Sequence, residues 1–238
     1  MALIVVAHGA WTGGWAWRKM RPLLRVLGHE LVTPTYTGLG ERIHLAGPAI
    51  DLDTHVQDVL NVLAYEDLRD VILVGHSYGG MVATGVADRA RDRLAALVYL
   101  DAFVPKDGQS LVDLLPPETR ERILGGASAN GDGWKVPPNP TPPDTAPADV
   151  AWLDAHKTFQ PLATMTTPLR LGSPLTLPRA YIHCTRKPGG DSFRQFAGRL
   201  RDAPGWRFHE MDASHNPHIT AAEELAQLLD TIVAEFAA

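Results

Sequence analysis

Short apolar runs alternate with amphipathic segments along the first hundred residues. The run at 3–7 is rich in β-branched residues and ends at His8 and Gly9, which indicates a buried strand. Similar runs are apolar on both faces, so the pattern predicts a parallel sheet with helices on both sides. The expected elements are strands at 3–7, 29–36, 71–75 and 96–104 and helices at 15–27, 53–65 and 79–90.

This pattern breaks at Pro105 and resumes at residue 179. Residues 105–178 are rich in Pro and Gly, yet large apolar side chains are dispersed through them and need a surface to pack on. We therefore predict a core formed by 1–104 and 179–238, with residues 105–178 as an inserted cap. The elements expected beyond residue 105 are strands at 179–185 and 206–211 and helices near 148–157, 192–200 and 221–236.

The sequence Gly-His-Ser-Tyr-Gly at 75–79 lies between a predicted strand and a predicted helix. It fits G-x-S-x-G in the context that a nucleophile elbow requires. Glycines flanking a tight turn leave room for a strained serine backbone, and the carboxyl ends of parallel strands are where open α/β sheets bind ligands. We therefore predict that Ser77 is a catalytic nucleophile.

A serine nucleophile needs backbone N–H donors for the oxyanion that forms during acyl transfer. We expect Tyr78, the residue after the nucleophile, to supply one donor and Ala10, in the loop after the first strand, to supply the other. Trp11 and Phe103 flank these positions, and Trp134 is expected to reach them from the cap. These three are the predicted substrate-binding residues, and an apolar pocket favours a small hydrophobic or aromatic ester.

Ten histidines are present, and position along the chain selects among them. The catalytic base is expected in the loop after the last strand. His215 comes first there, between Ser214 and Asn216, whereas His218 is expected to lead into the final helix or to pack beside the site. We therefore predict that His215 accepts the serine proton.

The stretches HGAWTGGWAW, GHSYGG and SHNPH resemble the α/β-hydrolase superfamily. The similarity is closest to the small group that holds bacterial esterases, plant methyl-ester esterases and hydroxynitrile lyases. It covers nearly the whole chain and is weakest in the cap. This resemblance implies an α/β fold with a mostly parallel eight-stranded sheet, a small cap after the sixth strand, and a Ser-His-acid mechanism that needs no metal or cofactor.

The catalytic acid is where this chain departs from the group it resembles. In the plant members the acid follows a strand, at the position that Lys187 occupies here. Asp101, at the end of the preceding strand, resembles the acid position of haloalkane dehalogenases and other α/β-hydrolases. It also keeps the chain order serine, acid, histidine. We therefore predict Asp101 as the acid.

Two other carboxylates stay open as alternatives. Asp191 could reach back through the glycine pair at 189–190, and Asp212 lies three residues before the predicted base, an awkward approach. If Asp101 is the acid, the segment after the strand is released from catalysis, and we expect its basic residues Arg186 and Lys187 to face solvent.

Two functions besides ester hydrolysis are considered. The hydroxynitrile lyases of this group carry a lysine after the catalytic histidine and a threonine in the first oxyanion loop, where this chain has Asn216 and Gly9. The second alternative is a non-catalytic protein that binds a small molecule. Its support is Lys187, which occupies the position where the plant members carry the catalytic acid. Methyl, aryl, lactone, carbamate and pyrethroid-type esters all remain open as substrates.

Composition bounds the class of protein. The net charge of −5 over 238 residues gives no basic footprint for nucleic acid or an anionic membrane. Cys184 is the only cysteine, which excludes an internal disulfide and a cysteine-based zinc site. No secretory signal or membrane-length apolar run is visible. We expect a cytoplasmic enzyme with a small-molecule ester as its partner and a homodimer left open.

Overall fold

The computed structural model describes residues 1–187 and 190–237, so the glycine at 189 in the predicted approach of Asp191 lies outside it. The strands are β1 (Leu3–Ala7), β2 (Glu30–Val32), β3 (Val71–His76), β4 (Leu94–Leu100), β5 (Lys135–Val136), β6 (Gln160–Pro161), β7 (Arg179–Cys184) and β8 (Trp206–Met211). The helices are α1 (Met20–Val26), α2 (Leu52–Tyr65), α3 (Gly79–Arg89), α4 (Pro117–Asn130), α5 (Pro147–His156), α6 (Ala163–Thr166), α7 (Arg194–Leu200), α8 (Pro217–Thr220) and α9 (Ala222–Ala237).

The main sheet has the strand order β2-β1-β3-β4-β7-β8, and every pairing in it is parallel. Over the described residues it has six strands, so the expectation of eight is wrong. The six are the strands that the apolar runs predict, whereas the number eight came from the resemblance alone. β2 is shorter than its predicted range of 29–36, because only three of its residues pair with β1.

Alternate residues of the central strands pack into two separate cores. Val5 and Ala7 of β1 face one side, where α2, α3 and α7 cover the sheet. Ile4 and Val6 face the other, where α1 and α9 cover it. All four side chains are fully buried, which explains why the strand reads as a continuous apolar run. This two-sided burial fixes the carboxyl edge of the sheet, where the predicted site residues lie.

Residues 105–178, which are predicted to form a cap and are called the insertion below, follow β4, the fourth strand along this chain. The helix expected near 148–157 is α5, and β5 pairs antiparallel with β6 in a two-stranded sheet. Helix α4 was not expected. Its residues include two adjacent glycines and bury only Ile123 and Ala127, so the apolar periodicity is weak. The insertion is therefore a mixture of short helices and irregular chain lying against the core.

Within residues 1–187 and 190–237, no helix is both long enough and apolar enough to cross a bilayer.

Candidate active site

Ser77 lies at the turn between β3 and α3, at the carboxyl edge of the sheet. Its backbone is left-handed, with φ of 55°, which is strained for a serine. The turn is this tight because α3 starts directly against the end of β1. A Cβ on Gly79 would stand 1.9 Å from the carbonyl oxygen of Ala7, so only glycine fits there.

His215 joins Ser77 to Asp101 through two hydrogen bonds. Its Nε2 lies 2.9 Å from Ser77 Oγ, and its Nδ1 lies 2.7 Å from Asp101 Oδ2. A carboxylate only accepts, so Nδ1 carries the proton, and Nε2 is left to accept from the serine hydroxyl. The ring of Phe193 stacks on the imidazole with centroids 4.9 Å apart and fixes its plane. The structure thus brings together the three residues predicted as nucleophile, base and acid.

Asp101 follows β4 in a left-handed conformation with φ of 43° and is fully buried. Besides His215, it accepts from Cys184 N at 3.2 Å and pairs with the Lys187 ammonium. Burial by itself raises the pKa of Asp101. The hydrogen bond and charge of His215, with the charge of Lys187, outweigh burial and hold that pKa below its usual value. The buried carboxylate is therefore ionised and ready to stabilise a charged imidazole.

The other two carboxylates considered as the acid lie away from His215. Asp191 Oδ2 lies 2.9 Å from His183 Nε2, and Asp191 Oδ1 accepts from Phe193 N. Asp212 is exposed, and its carboxylate lies 3.3 Å from Arg186 Nε. Of these three aspartates, Asp101 is the one hydrogen-bonded to the imidazole.

Lys187 does not face solvent, so that expectation is wrong. Only 12% of its side chain is exposed, because the ammonium turns inward to the Asp101 carboxylate. Arg186 differs: its side chain is 48% exposed and pairs with Asp212 and Asp144. Sequence reasoning missed this contact of Lys187, which joins residues far apart in the chain.

Ala10 and Tyr78 present backbone N–H groups beside Ser77. Within the described ranges, neither N–H donates to a protein acceptor, and both residues line the cavity above the serine. The peptide that carries the Ala10 N–H is held from its other side. Its carbonyl, Gly9 O, accepts from His8 Nδ1 at 2.8 Å and from Thr12 Oγ1 at 3.1 Å. Among the described residues both N–H groups are therefore unengaged, as donors to an oxyanion must be, and their role in an oxyanion hole stays a prediction.

Trp11 connects the loop that follows β1 to the insertion through three hydrogen bonds. Its N–H donates to Gln160 Oε1 at 2.9 Å, its indole Nε1 donates to Val136 O at 3.2 Å, and its carbonyl accepts from Thr158 N at 3.0 Å. Trp11 is left-handed, with φ of 61°, a strained conformation for such a bulky residue. The fully buried Gln160, which sequence reasoning missed, therefore helps to hold the loop in place.

Neutral histidines surround the site. Burial, together with the charge of His215, outweighs a backbone hydrogen bond and lowers the pKa of His76 to about 3. The ring donates from Nε2 to the His215 carbonyl at 2.8 Å and so supports the base. Burial likewise places the pKa of His218 well below 6.5. His218 stacks on Trp17 and lines the cavity, as expected for a residue that packs beside the site.

A cavity of about 330 Å³ opens above Ser77, within the range of small-ligand sites. Trp11 and Phe103 line it as predicted. Trp134 does not line it: it lies in the turn before β5, beneath the Lys135 ammonium, so the structure does not bring it to the cavity as expected. The sequence does not show which surface of the core an aromatic side chain in the insertion packs against. The apolar walls come from Leu111, Leu115, Ile123, Leu153, Met165 and Ile219.

Comparison with known proteins places this geometry in a family. The family model described as "Alpha/beta hydrolase family" matches residues 4–228. The chain belongs to this family. It is 42% identical to the carbendazim hydrolyzing esterase of Nocardioides sp. (strain SG-4G), over 96% of this chain and 98% of that protein. It is 28% identical to methylesterase 2 of Arabidopsis thaliana, over 55% of this chain and 48% of that protein.

A solved structure agrees over nearly the whole length of the chain. An extracellular alpha/beta-hydrolase from a Paenibacillus species superposes with a TM-score of 0.85, at 26% identity, over 96% of this chain and 98% of that one. The resemblance inferred from the motifs is thereby confirmed, and so is the expectation of a hydrolase. Because this relative is described as extracellular, the cytoplasmic location of the present chain stays a prediction.

Proposed function

We propose that this esterase-type hydrolase cleaves its substrate through an acyl-enzyme on Ser77, with His215 as base and Asp101 as acid. The observation that carries the proposal is the hydrogen-bonded chain from Ser77 through His215 to a buried, ionised Asp101. Such a chain activates a serine at neutral pH. The strained elbow holding Ser77 at the cavity floor supports the same role.

In the first half of the reaction, His215 Nε2 takes the proton of Ser77 as Oγ attacks the ester carbonyl. The negative charge that develops on the carbonyl oxygen is held by the N–H groups of Ala10 and Tyr78. The Asp101 carboxylate stabilises the imidazolium without taking its proton. His215 then donates that proton to the departing alcohol, and the acyl group remains on Oγ.

Water completes the cycle by the same steps in reverse order. His215 removes a proton from a water molecule, the resulting hydroxide attacks the acyl carbonyl, and Ser77 leaves with the proton returned by the imidazolium. The products are a carboxylic acid and an alcohol, or a carbamic acid and an alcohol when the substrate is a carbamate. None of these steps calls on a metal or an organic cofactor.

We propose a small ester with a hydrophobic or aromatic body as the substrate. The apolar walls and the volume of about 330 Å³ support a compact, largely apolar molecule. The likeness to a carbendazim hydrolyzing esterase across nearly the whole chain favours carbamates among the candidate esters. The partial likeness to a plant methylesterase favours methyl leaving groups.

The test begins with a fluorophosphonate probe, which reports an activated serine without knowledge of the substrate. We expect one adduct, on Ser77, in the wild type and none in Ser77→Ala, with labelling strongly slowed in His215→Ala. A panel of carbendazim, a methyl ester, an aryl ester and a lactone then ranks substrates. Failure of Ser77 to react in the folded protein would reject the acyl-enzyme proposal and leave the small-molecule-binding alternative.

Hydroxynitrile lyase activity is the alternative enzyme. Gly9 and Asn216 carry no side-chain group able to replace the threonine and lysine expected of such lyases, and both line the cavity near Ser77. Incubation with mandelonitrile should therefore release no benzaldehyde above background. Release that depends on Ser77 would reverse this preference.

A further inference from the structure

Lys187 is an active-site cation for which the reaction as described has no use. It follows β7, lines the cavity, and contacts Asp101 through the same carboxylate oxygen, Oδ2, that accepts from His215 Nδ1. Its ammonium also lies 5.1 Å from the centre of the Phe193 ring, which stacks on His215. Lys187 thus stands one carboxylate oxygen away from the base.

The shared oxygen makes the charge of Lys187 relevant to the charge of His215. Asp101 is fully buried, so water does not screen its interactions with either neighbour. Negative charge that the ammonium compensates is no longer available to stabilise an imidazolium. The same contact also gives the carboxylate a third donor beside Cys184 N and His215 Nδ1, and so limits its rotation.

Other titratable groups near this pair are few among the described residues. Asp191 Oδ1 lies 3.9 Å from Lys187 Nζ, and its other oxygen is taken by His183. His76 and His218 approach from β3 and α8, and burial keeps both neutral. Arg122 and Lys157 also line the cavity, and they pair elsewhere, with Asn139 and Asp154. Lys187 is therefore the cation that contacts the Asp101 carboxylate to which His215 is bound.

We propose that Lys187 is a positioning residue of this hydrolase: its ammonium fixes the Asp101 carboxylate and keeps His215 unprotonated in more acidic solution. The inference rests on the proposed function, since it concerns how the base of that mechanism is kept ready. The Lys187 ammonium weakens the stabilisation of the imidazolium by Asp101, and as a consequence the unprotonated imidazole persists at lower pH.

The expected size follows from the behaviour of close charge pairs. A charge within about 4–6 Å of a titrating group shifts its protonation by about 1–3 pH units when the pair is shielded from water. His215 is partly exposed, so the lower end of that range applies. Removing the ammonium should therefore move the acid limb of activity upward by about one pH unit.

Four variants separate charge from shape. Lys187→Met and Lys187→Gln remove the ammonium, and Lys187→Arg retains a cation. Arg186→Met is the matched control, because it also removes one positive charge at the neighbouring position in the chain. The Arg186 side chain pairs with Asp212 and Asp144 outside the cavity. Two readouts are followed against pH: the rate of fluorophosphonate labelling of Ser77, and the NMR signals of the His215 imidazole, assigned by their loss in His215→Ala.

In both readouts, we expect Lys187→Met and Lys187→Gln to raise the pH at the midpoint of the acid transition by about one unit. The midpoints of Lys187→Arg and Arg186→Met should stay close to wild type. An unmoved midpoint in whichever neutral variant folds overturns the proposal, as does an equal shift in Arg186→Met. A wild type that the probe does not label counts against the proposed function instead. The NMR titration still decides the role of Lys187 in that case.

Discussion

Replacing Asp101 by asparagine tests the residue proposed as the catalytic acid. The buried carboxylate faces three donors: Cys184 N, His215 Nδ1 and the Lys187 ammonium. An amide of the same shape has one acceptor and one donor group. If its oxygen stays with Cys184, its NH₂ group points at the imidazole and the ammonium.

The magnitude follows from this mismatch. An NH₂ group facing Nδ1 favours the imidazole tautomer that carries its proton on Nε2, which cannot accept from Ser77, and a loss of about 10⁴-fold in kcat is typical of that change. Lys187 then remains as an uncompensated charge that opposes the imidazolium, and it adds about tenfold more. Because Asp101 lies behind His215 and not in the cavity wall, KM should change little.

The assay is steady-state hydrolysis of the best ester from the panel, with Asp191→Asn as the matched control. That substitution makes the same chemical change on a carboxylate bound to His183, and we expect kcat within a few-fold of wild type. The double variant Asp101→Asn with Lys187→Met should recover about tenfold over Asp101→Asn, since the two residues contact each other. Wild-type kcat in Asp101→Asn would refute the assignment, and a larger loss in Asp191→Asn would move it to that residue.

Three further predictions concern the scaffold. Gly79→Ala should lower the free energy of unfolding in urea by about 1–3 kcal/mol, because the new Cβ would lie 1.9 Å from a backbone oxygen of β1. Gln160→Met should lower kcat by about 10- to 100-fold with little change in KM, because the oxyanion loop loses an anchor. Stability should fall as the pH drops below about 6.5, since burial lowers the pKa of His8 to about 4 and of His55 and His76 to about 3. Over that window the unfolded chain binds more protons, which costs about 1.4 kcal/mol per pH unit for each histidine.

Matched controls exist for all three. Gly125→Ala adds a methyl group in the open on α4 and should be neutral or stabilising by up to about 1 kcal/mol. Gln57→Met, on the exposed face of α2, should leave kcat unchanged. His55→Gln should flatten the acid slope by one proton, whereas replacing the exposed His44 should not. Equal effects in a variant and its control would contradict the structural explanation.

The parallel sheet and the position of Ser77 were predictable because their signals are local. A run such as 71–75, apolar on both faces, fits a central strand, and the glycines around Ser77 mark the turn. The contact of Asp101 with His215 was inferred correctly for a related reason. Carboxyl ends of parallel strands lie side by side, so residues just after β4 and β8 meet at one edge of the sheet.

The remaining features depend on contacts between distant residues. The sequence around Lys187 is typical of a surface segment. Nothing in it shows that the buried Asp101 carboxylate lies at the end of the neighbouring strand, β4. Trp134 was indistinguishable in sequence from aromatics that do line the cavity. Helix α4 gave little periodic signal, since its polar residues and two glycines leave few buried positions. Such features become visible only once the insertion is placed on the core.

The anchoring of Trp11 by the insertion links access to reactivity. The cavity walls come from both the core and the insertion, so a molecule larger than the cavity would have to displace the insertion from the sheet in order to enter. Lifting it would take away the three partners of Trp11, and the left-handed backbone would relax and turn the neighbouring Ala10 N–H. Molecules that fit within the cavity would leave these contacts of Trp11 intact, whereas oversized ones would break them on entry. Size selection in this enzyme would then act on turnover more than on binding.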